Sequence, residues 1–399
     1  NRKFTTFNSR TNHSRDVVPN SKIMANNLFD NPNPDYFGYS NQNENVYDFF
    51  NRSAHPKFLV VKNKLEELFS HYPDEHKYEL KKRFKKSFHS CFYELFLYSL
   101  FKGLGFSIKI HPELGVSGKT PDFLVSNDKM EFVVEAQIVT GKSAEKVNQD
   151  RKRNEFYDHI NKLDLKGFFI EINELEFKSS KQPSTRALKA FLKEEIGKLN
   201  HKEIRAKLNS GGLSNLDSLI YEDKDVRIVM NTIPVDQIDE KDKSKNIIGM
   251  WPMQFSSGHE LESISKAIQK KSKKYKKIGY PLLVCVNSHI VFMTRKLDAQ
   301  NVVWGTDGDD IEKFDGIFYA QNKFINTELS GIMITKVFPF NIPIADCWIF
   351  KHPQSRMEID FKMLGLAFDE VKDYRINNNA GIVPNDIFKI APNWVTGFE

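Results

Sequence analysis

The segment 132–139 constrains the fold more than any other part of the sequence. It reads FVVEAQIV and is apolar except at Glu135 and Gln137. A short apolar run that is bounded by turn residues predicts a strand buried on both faces, inside a sheet covered by helices. Because a buried carboxylate without a cation or metal is costly, Glu135 is expected to have a functional partner.

Helical and strand patterns alternate around this segment. The predicted elements are a helix at 74–102, strands at 106–110, 121–125 and 131–139, a helix at 143–163, a strand at 167–177 and a helix at 186–199. The order of helix, three strands, helix and strand predicts an α/β layer structure.

The region after Gly211-Gly212 is richer in strand patterns. Strands are predicted at 227–235, 282–286, 290–294, 316–319 and 332–340, with a basic helix at 258–277. We therefore expect an Asn-rich N-terminal extension at 1–56, a first domain at 57–210, and an α+β C-terminal region at 211–399. That last region is expected to be a targeting or regulatory domain or an extension of the same sheet.

Composition favours a cytoplasmic protein. The chain has 399 residues, a net charge of +6 and no apolar run that approaches the roughly 20 residues of a membrane helix. Its first residues lack a signal-peptide pattern. Its three cysteines, Cys91, Cys285 and Cys347, are far apart, which argues against both a disulfide framework and a zinc cluster.

The tripeptide Gly118-Lys119-Thr120 looks like the end of a phosphate-binding loop, but its surroundings do not fit one. Such a loop needs a glycine five residues before Gly118, where this chain has Glu113, and a helix after the threonine. A short apolar strand follows instead. We interpret the tripeptide as a loop that leads into a strand, with Lys119 available to contact a phosphate.

Two carboxylates in the same region suit metal-dependent chemistry. Asp122 begins one predicted strand and Glu135 lies in the next, so a hairpin would bring their side chains together, with Gln137 on the face of Glu135. Magnesium binds one or two carboxylates together with waters and phosphate oxygens. The pair is therefore suited to the kind of magnesium site that phosphodiester hydrolysis needs.

Pro121-Asp122 followed by Glu135-Ala136-Gln137, with Glu94 on the preceding helix, resembles the PD-(D/E)xK (restriction-endonuclease-like) nuclease superfamily. The resemblance implies that Asp122, Glu135 and the carbonyl of Ala136 bind Mg²⁺, with Mn²⁺ able to substitute, and that Glu94 assists. It also implies a Mg-dependent endonuclease that hydrolyses DNA. Gln137 stands where the family usually has lysine, and it would position water through its amide.

Basic residues offer contacts for a nucleic acid. Lys119, Lys142, Arg151, Lys152 and Arg153 are candidates, although a solvated helix face explains the last three equally well. Association by family suggests restriction or anti-phage defence and a homodimer or larger defence complex as the assembly. Two alternatives stay open: an RNA substrate, and a catalytically inactive nuclease-like fold that binds nucleic acid or protein.

Overall fold

The computed structural model describes residues 27–38, 40–114, 120–163, 165, 167–235, 248–249, 260–290, 295–305, 316–373 and 375–395. The helices are α1 Val46–Arg52, α2 Pro56–Ser70, α3 Asp74–Phe84, α4 Phe88–Gly103, α5 Ala144–Ile160, α6 Thr185–Gly197, α7 His201–Gly211, α8 Glu260–Tyr275, α9 Lys296–Trp304, α10 Phe361–Leu364 and α11 Pro384–Phe388. The strands are β1 Ser107–Ile110, β2 Phe123–Ser126, β3 Glu131–Val139, β4 Phe168–Phe177, β5 Ser218–Glu222, β6 Val226–Pro234, β7 Ile248–Gly249, β8 Leu282–Ser288, β9 Tyr319–Ala320, β10 Lys323–Phe324, β11 Gly331–Thr335, β12 Cys347–Lys351, β13 Phe368–Lys372 and β14 Arg375–Asn379.

Within these ranges, the larger sheet has eight strands in the order β1-β2-β3-β8-β11-β12-β13-β14. The first three strands are antiparallel, and β8 lies parallel to both of its neighbours, β3 and β11. The remaining pairs are of both kinds, so the sheet is mixed. The chain therefore has the predicted α/β class.

Helices cover both faces of this sheet. On one face α4 packs into a core with Phe123 and Val134. On the other face α8 and α9 pack into a second core with Leu124 and Val133. Every residue of β8 is buried, as expected for a parallel strand covered on both sides.

A smaller sheet, in the order β5-β6-β4-β7, lies between β3 and α8 in the sequence. It packs with α5, α6 and α7 around a third core, which includes Phe156, Leu192 and Met230. We call residues 144–249 the inserted unit. Its buried apolar residues belong to none of the cores of the larger sheet.

One assignment from the sequence needs correction. The helix and strand predicted at 143–163 and 167–177 exist as α5 and β4, but β4 belongs to the smaller sheet, and β8 lies beside β3. The position beside β3 is covered by helices on both faces, and β8 is buried at every position there. The strand β4 carries Glu171, Glu174 and Glu176 and has exposed positions toward its end, so it suits the smaller sheet. The boundary predicted at 210 falls inside the inserted unit, and β8 and β11–β14 extend the larger sheet, as one of the two alternatives stated.

Other elements differ in extent. The helix predicted at 74–102 is divided into α3 and α4, because the backbone of Ser87 is not helical and the rings of Phe84 and Phe88 pack edge to face at 5.4 Å between centroids. The strand predicted at 332–340 ends at Thr335, and that at 316–319 is reduced to β9. Positions 291–294 of the strand predicted at 290–294 lie outside the described residues. None of the described helices is long and apolar enough to cross a membrane.

Candidate active site

The structure brings Asp122 and Glu135 together. In the register of β2 and β3, Phe123 pairs with Val134, so Asp122 lies just before the pairing and faces Glu135. The Oδ2 atom of Asp122 accepts a hydrogen bond of 2.7 Å from the backbone N–H of Ala136. The hairpin predicted from the sequence therefore holds both carboxylates at one place on the sheet.

Glu135 is buried and Asp122 is half-buried, so each carboxylate lies close to the negative charge of the other with little solvent between them. Glu135 is only 2% exposed, and its Oε2 atom has no hydrogen-bond partner among the described residues. Burial first, and then the negative charges of Glu135 and Glu94, raise the pKa of Asp122 to about 7, while the Ala136 N–H and Lys271 act in the opposite direction. A positive charge close to the two carboxylates would stabilise their ionised forms.

A lysine from α8 supplies part of that charge. The Nζ atom of Lys271 lies 2.5 Å from Oε1 of Glu135, and Nζ of Lys274 lies 3.5 Å from the same oxygen. Lys271 was not predicted as a residue of the carboxylate site, although the basic helix that contains it was considered for contact with a nucleic-acid strand. The signal available was the lysine run 270–277, which contains no acidic residue, but nothing local connects it to β3.

Glu94 lies on the opposite side of the sheet. It belongs to α4, whereas Glu135 and Asp122 lie on the face covered by α8. Both of its oxygens accept hydrogen bonds from Arg83, at 2.7 and 2.6 Å. The charge of Glu94 raises the pKa of Asp122, but its carboxylate is committed to Arg83.

Gln137 is half-buried on β3, two residues after Glu135. Its Nε2 atom donates a hydrogen bond of 2.8 Å to the carbonyl of Ile138, which fixes the orientation of the amide. The amide oxygen accepts no hydrogen bond from another described side chain or backbone group. Gln137 is therefore placed on the same face as the carboxylate pair, with its acceptor available.

The basic residues proposed for nucleic-acid contact are mostly engaged elsewhere. Lys142 and Arg153 both contact the carboxylate of Asp150, each at 2.6 Å. Lys152 donates to the carbonyl of Ser179 at 2.7 Å. Arg151 is exposed, and Lys119 lies outside the described residues.

The donor set fits magnesium better than zinc. No group of three or more His, Cys, Asp or Glu side chains suited to a metal occurs in the described part of the chain. Asp122 and Glu135 offer carboxylate oxygens, the donors that Mg²⁺ prefers, and the Oε2 atom of Glu135 has no hydrogen-bond partner among the described residues. The residues present therefore fit Mg²⁺ or Mn²⁺.

Comparison with protein-family models, with curated proteins and with solved structures gave no match.

Proposed function

We propose that the protein is a metal-dependent nuclease of the PD-(D/E)xK type that hydrolyses DNA phosphodiester bonds. The observation that carries the proposal is the facing pair of the half-buried Asp122 and the buried Glu135, with the ammonium of Lys271 beside Glu135. Two carboxylates that can hold a divalent cation, with an ammonium beside them, are groups that metal-assisted phosphodiester hydrolysis uses.

The topology supports the same proposal. The order α4, β1, β2, β3, α8 and β8 is a helix, three antiparallel strands, a helix and a strand parallel to the third. A helix, three strands, a helix and a strand form the common core of the superfamily that the sequence resembles, and here the inserted unit lies between the third strand and the second helix. The carboxylates lie at the start of the second strand and within the third.

Asp122 and Glu135, with the backbone carbonyl of Ala136, are the groups that would hold the ion. When bound, Mg²⁺ neutralises charge on the phosphate and lowers the pKa of the attacking water. The chain's own residues do the rest. The ammonium of Lys271 stabilises negative charge that develops on a phosphate oxygen, and the amide oxygen of Gln137 orients water by accepting its hydrogen bond.

Lys271 offers a replacement for the lysine that the family usually has at the position of Gln137. The family's lysine lies two residues after the glutamate on the same strand, and here that position is neutral. The cation comes instead from α8, on the face of the sheet where Glu135 lies. A site with Glu135, Gln137 and Lys271 therefore contains the same kinds of groups as one with lysine on β3.

The test is the substitution Glu135→Ala. We expect it to abolish Mg²⁺-dependent cleavage of plasmid DNA and to weaken Mn²⁺ binding measured by calorimetry. The matched control is Glu131→Ala, since Glu131 is an exposed carboxylate at the start of the same strand and contacts neither metal-binding group. Cleavage that survives in Glu135→Ala would refute the assignment. Parallel assays with duplex DNA, single-stranded DNA and RNA identify the substrate.

One observation favours the alternative of a non-catalytic binding module. The ion pair with Lys271 already neutralises Glu135 without any metal, as a purely structural pair would. This alternative requires nucleic-acid or protein binding with no cleavage in either Mg²⁺ or Mn²⁺. Gel shifts and cleavage assays on the same protein sample distinguish the two.

A further inference from the structure

The outer face of α8 and the turn that follows it carry lysines that no acidic side chain in the described part of the chain neutralises. Lys270, Lys273 and Lys277 are exposed, and no hydrogen bond or ion pair joins them to another described residue. We call these three residues the α8 lysine face. Lys270 and Lys273 lie three residues apart on α8 and repel each other, and Lys277 adds a third charge in the turn after the helix, so this face suits a ligand with several negative charges.

The α8 lysine face leads directly to the carboxylate pair. At 3.6 residues per turn, Lys273 and Lys270 lie on the side of α8 away from the core, and Lys274 and then Lys271 follow around the helix toward β3, whereas Lys277 lies in the turn after the helix ends at Tyr275. Lys274 and Lys271 contact Glu135. The lysines therefore form an arc that begins in solvent and ends at the candidate site.

The buried side of α8 fixes this orientation. Ile264, Ile268 and Tyr275 pack in the core beneath the sheet, and the hydroxyl of Tyr275 donates to the carbonyl of Thr120 at 3.0 Å. Thr120 lies two residues before Asp122. The helix is thus attached to the same segment that carries a carboxylate, and the arc cannot rotate away from it.

We propose that the α8 lysine face binds the phosphate backbone of a nucleic acid and leads it to Asp122 and Glu135. This inference rests on the proposed function. Ammonium groups contact phosphates without reading bases, so binding at this face is independent of sequence. A lipid surface fits less well, because no large apolar side chain of α8 is exposed.

The test is equilibrium binding without catalysis. Fluorescence anisotropy of labelled duplex DNA, single-stranded DNA and RNA is measured in EDTA for the full chain and for the triple variant Lys270→Gln/Lys273→Gln/Lys277→Gln. We expect at least a tenfold loss of affinity for the nucleic acid that binds. For a duplex, the plot of the logarithm of the association constant against the logarithm of salt concentration has a negative slope. This slope should become shallower by about 0.9 for each phosphate contact that the variant loses.

The matched control is Lys181→Gln/Lys193→Gln/Lys202→Gln, which removes three exposed lysines from the inserted unit. We expect less than a threefold change in that control. Equal losses in both variants, no loss in the α8 variant, or α8-dependent binding to anionic vesicles alone would overturn the proposal. Thermal melting of both variants should match the parent protein, and the pair Lys270→Gln/Lys273→Gln serves if the triple variant does not fold.

The outcome is separable from that of the proposed function. Binding that depends on the α8 lysine face, together with cleavage that survives Glu135→Ala, rejects the nuclease site and keeps the interface. Cleavage that requires Glu135, together with binding that is unaffected by the α8 variant, keeps the nuclease and rejects the interface.

Discussion

Asp122 and Glu135 face each other across β2 and β3, yet they are stabilised by different kinds of partner. Asp122 accepts the backbone N–H of Ala136, and Glu135 accepts the ammonium of Lys271. The first partner is fixed in the sheet, whereas the second is a flexible side chain from α8. The charge balance of the site therefore depends mainly on one residue, which leads to the first prediction.

Lys271→Met should destabilise the protein in EDTA. The change leaves Glu135 buried without its nearest cation, which costs about 3 kcal/mol in the free energy of unfolding. Mn²⁺ replaces the missing charge and should reduce this difference. Lys266→Met is the control on the same helix, because Lys266 is exposed and pairs with Glu262 at 2.9 Å, an interaction that contributes less than about 1 kcal/mol. Urea denaturation measures both, and equal effects in the two variants would contradict the role of Lys271.

Stability without metal should fall as the pH rises from about 4 to about 7. The pKa of Asp122 is raised to about 7 in the folded protein, so the folded state keeps a proton that the unfolded state has lost. Between pH 5 and pH 8 this group should lower the free energy of unfolding by about 2–3 kcal/mol.

Asp122→Asn isolates that contribution, because asparagine can still accept the Ala136 N–H but does not titrate. Burial lowers the pKa of His289 to about 4, so this group makes the free energy of unfolding rise with pH, the opposite of the effect of Asp122. The contribution of His289 is the same in both proteins and cancels when their free energies of unfolding are subtracted. Thermal or urea denaturation in EDTA at pH 5 and pH 8 gives the comparison. An unchanged difference between the two proteins at both pH values would show that Asp122 is ionised throughout.

Arg83→Met should destabilise the protein by about 2 kcal/mol, because the buried carboxylate of Glu94 loses both of its hydrogen bonds to the guanidinium. Arg83→Met/Glu94→Gln should recover most of that loss, since no unpaired charge remains. The double variant also tests the role predicted for Glu94 in catalysis. A stable double variant with reduced cleavage supports assistance by Glu94, and one with normal cleavage leaves Glu94 a structural residue.

A fragment of residues 143–249 should fold without the rest of the chain. Its buried apolar side chains form a core that shares no member with the cores of the larger sheet. The contrasting fragment is 57–210, the domain expected from the sequence, which lacks β8 and so exposes one edge of β3. We expect a cooperative thermal transition by circular dichroism for the first fragment and none for the second. The opposite result would restore the boundary at 210.

Local patterns were sufficient to predict β3 with its observed bounds and to identify its two polar residues. They also placed Asp122 opposite Glu135, because a short hairpin fixes its own register. The neighbour of β3 on its other side could not be predicted in this way. Either β4 or β8 could pair with the free edge of β3, and only a strand that can be buried on both faces fits there. Which strand is buried in this way depends on the packing of helices that are distant in the sequence. Lys271 and the pairing of Glu94 with Arg83 were missed because both depend on contacts between separate helices and strands.

The position of the inserted unit has a consequence for how the protein is made. Glu135 and Lys271 are separated by 136 residues, and the inserted unit is encoded between them. At roughly 5–20 residues per second, the ribosome therefore produces the carboxylate pair on the order of ten seconds before the lysine. A complete folding unit can form in that interval. The groups of the candidate site can therefore meet only after translation has passed through the inserted unit, which contributes none of them.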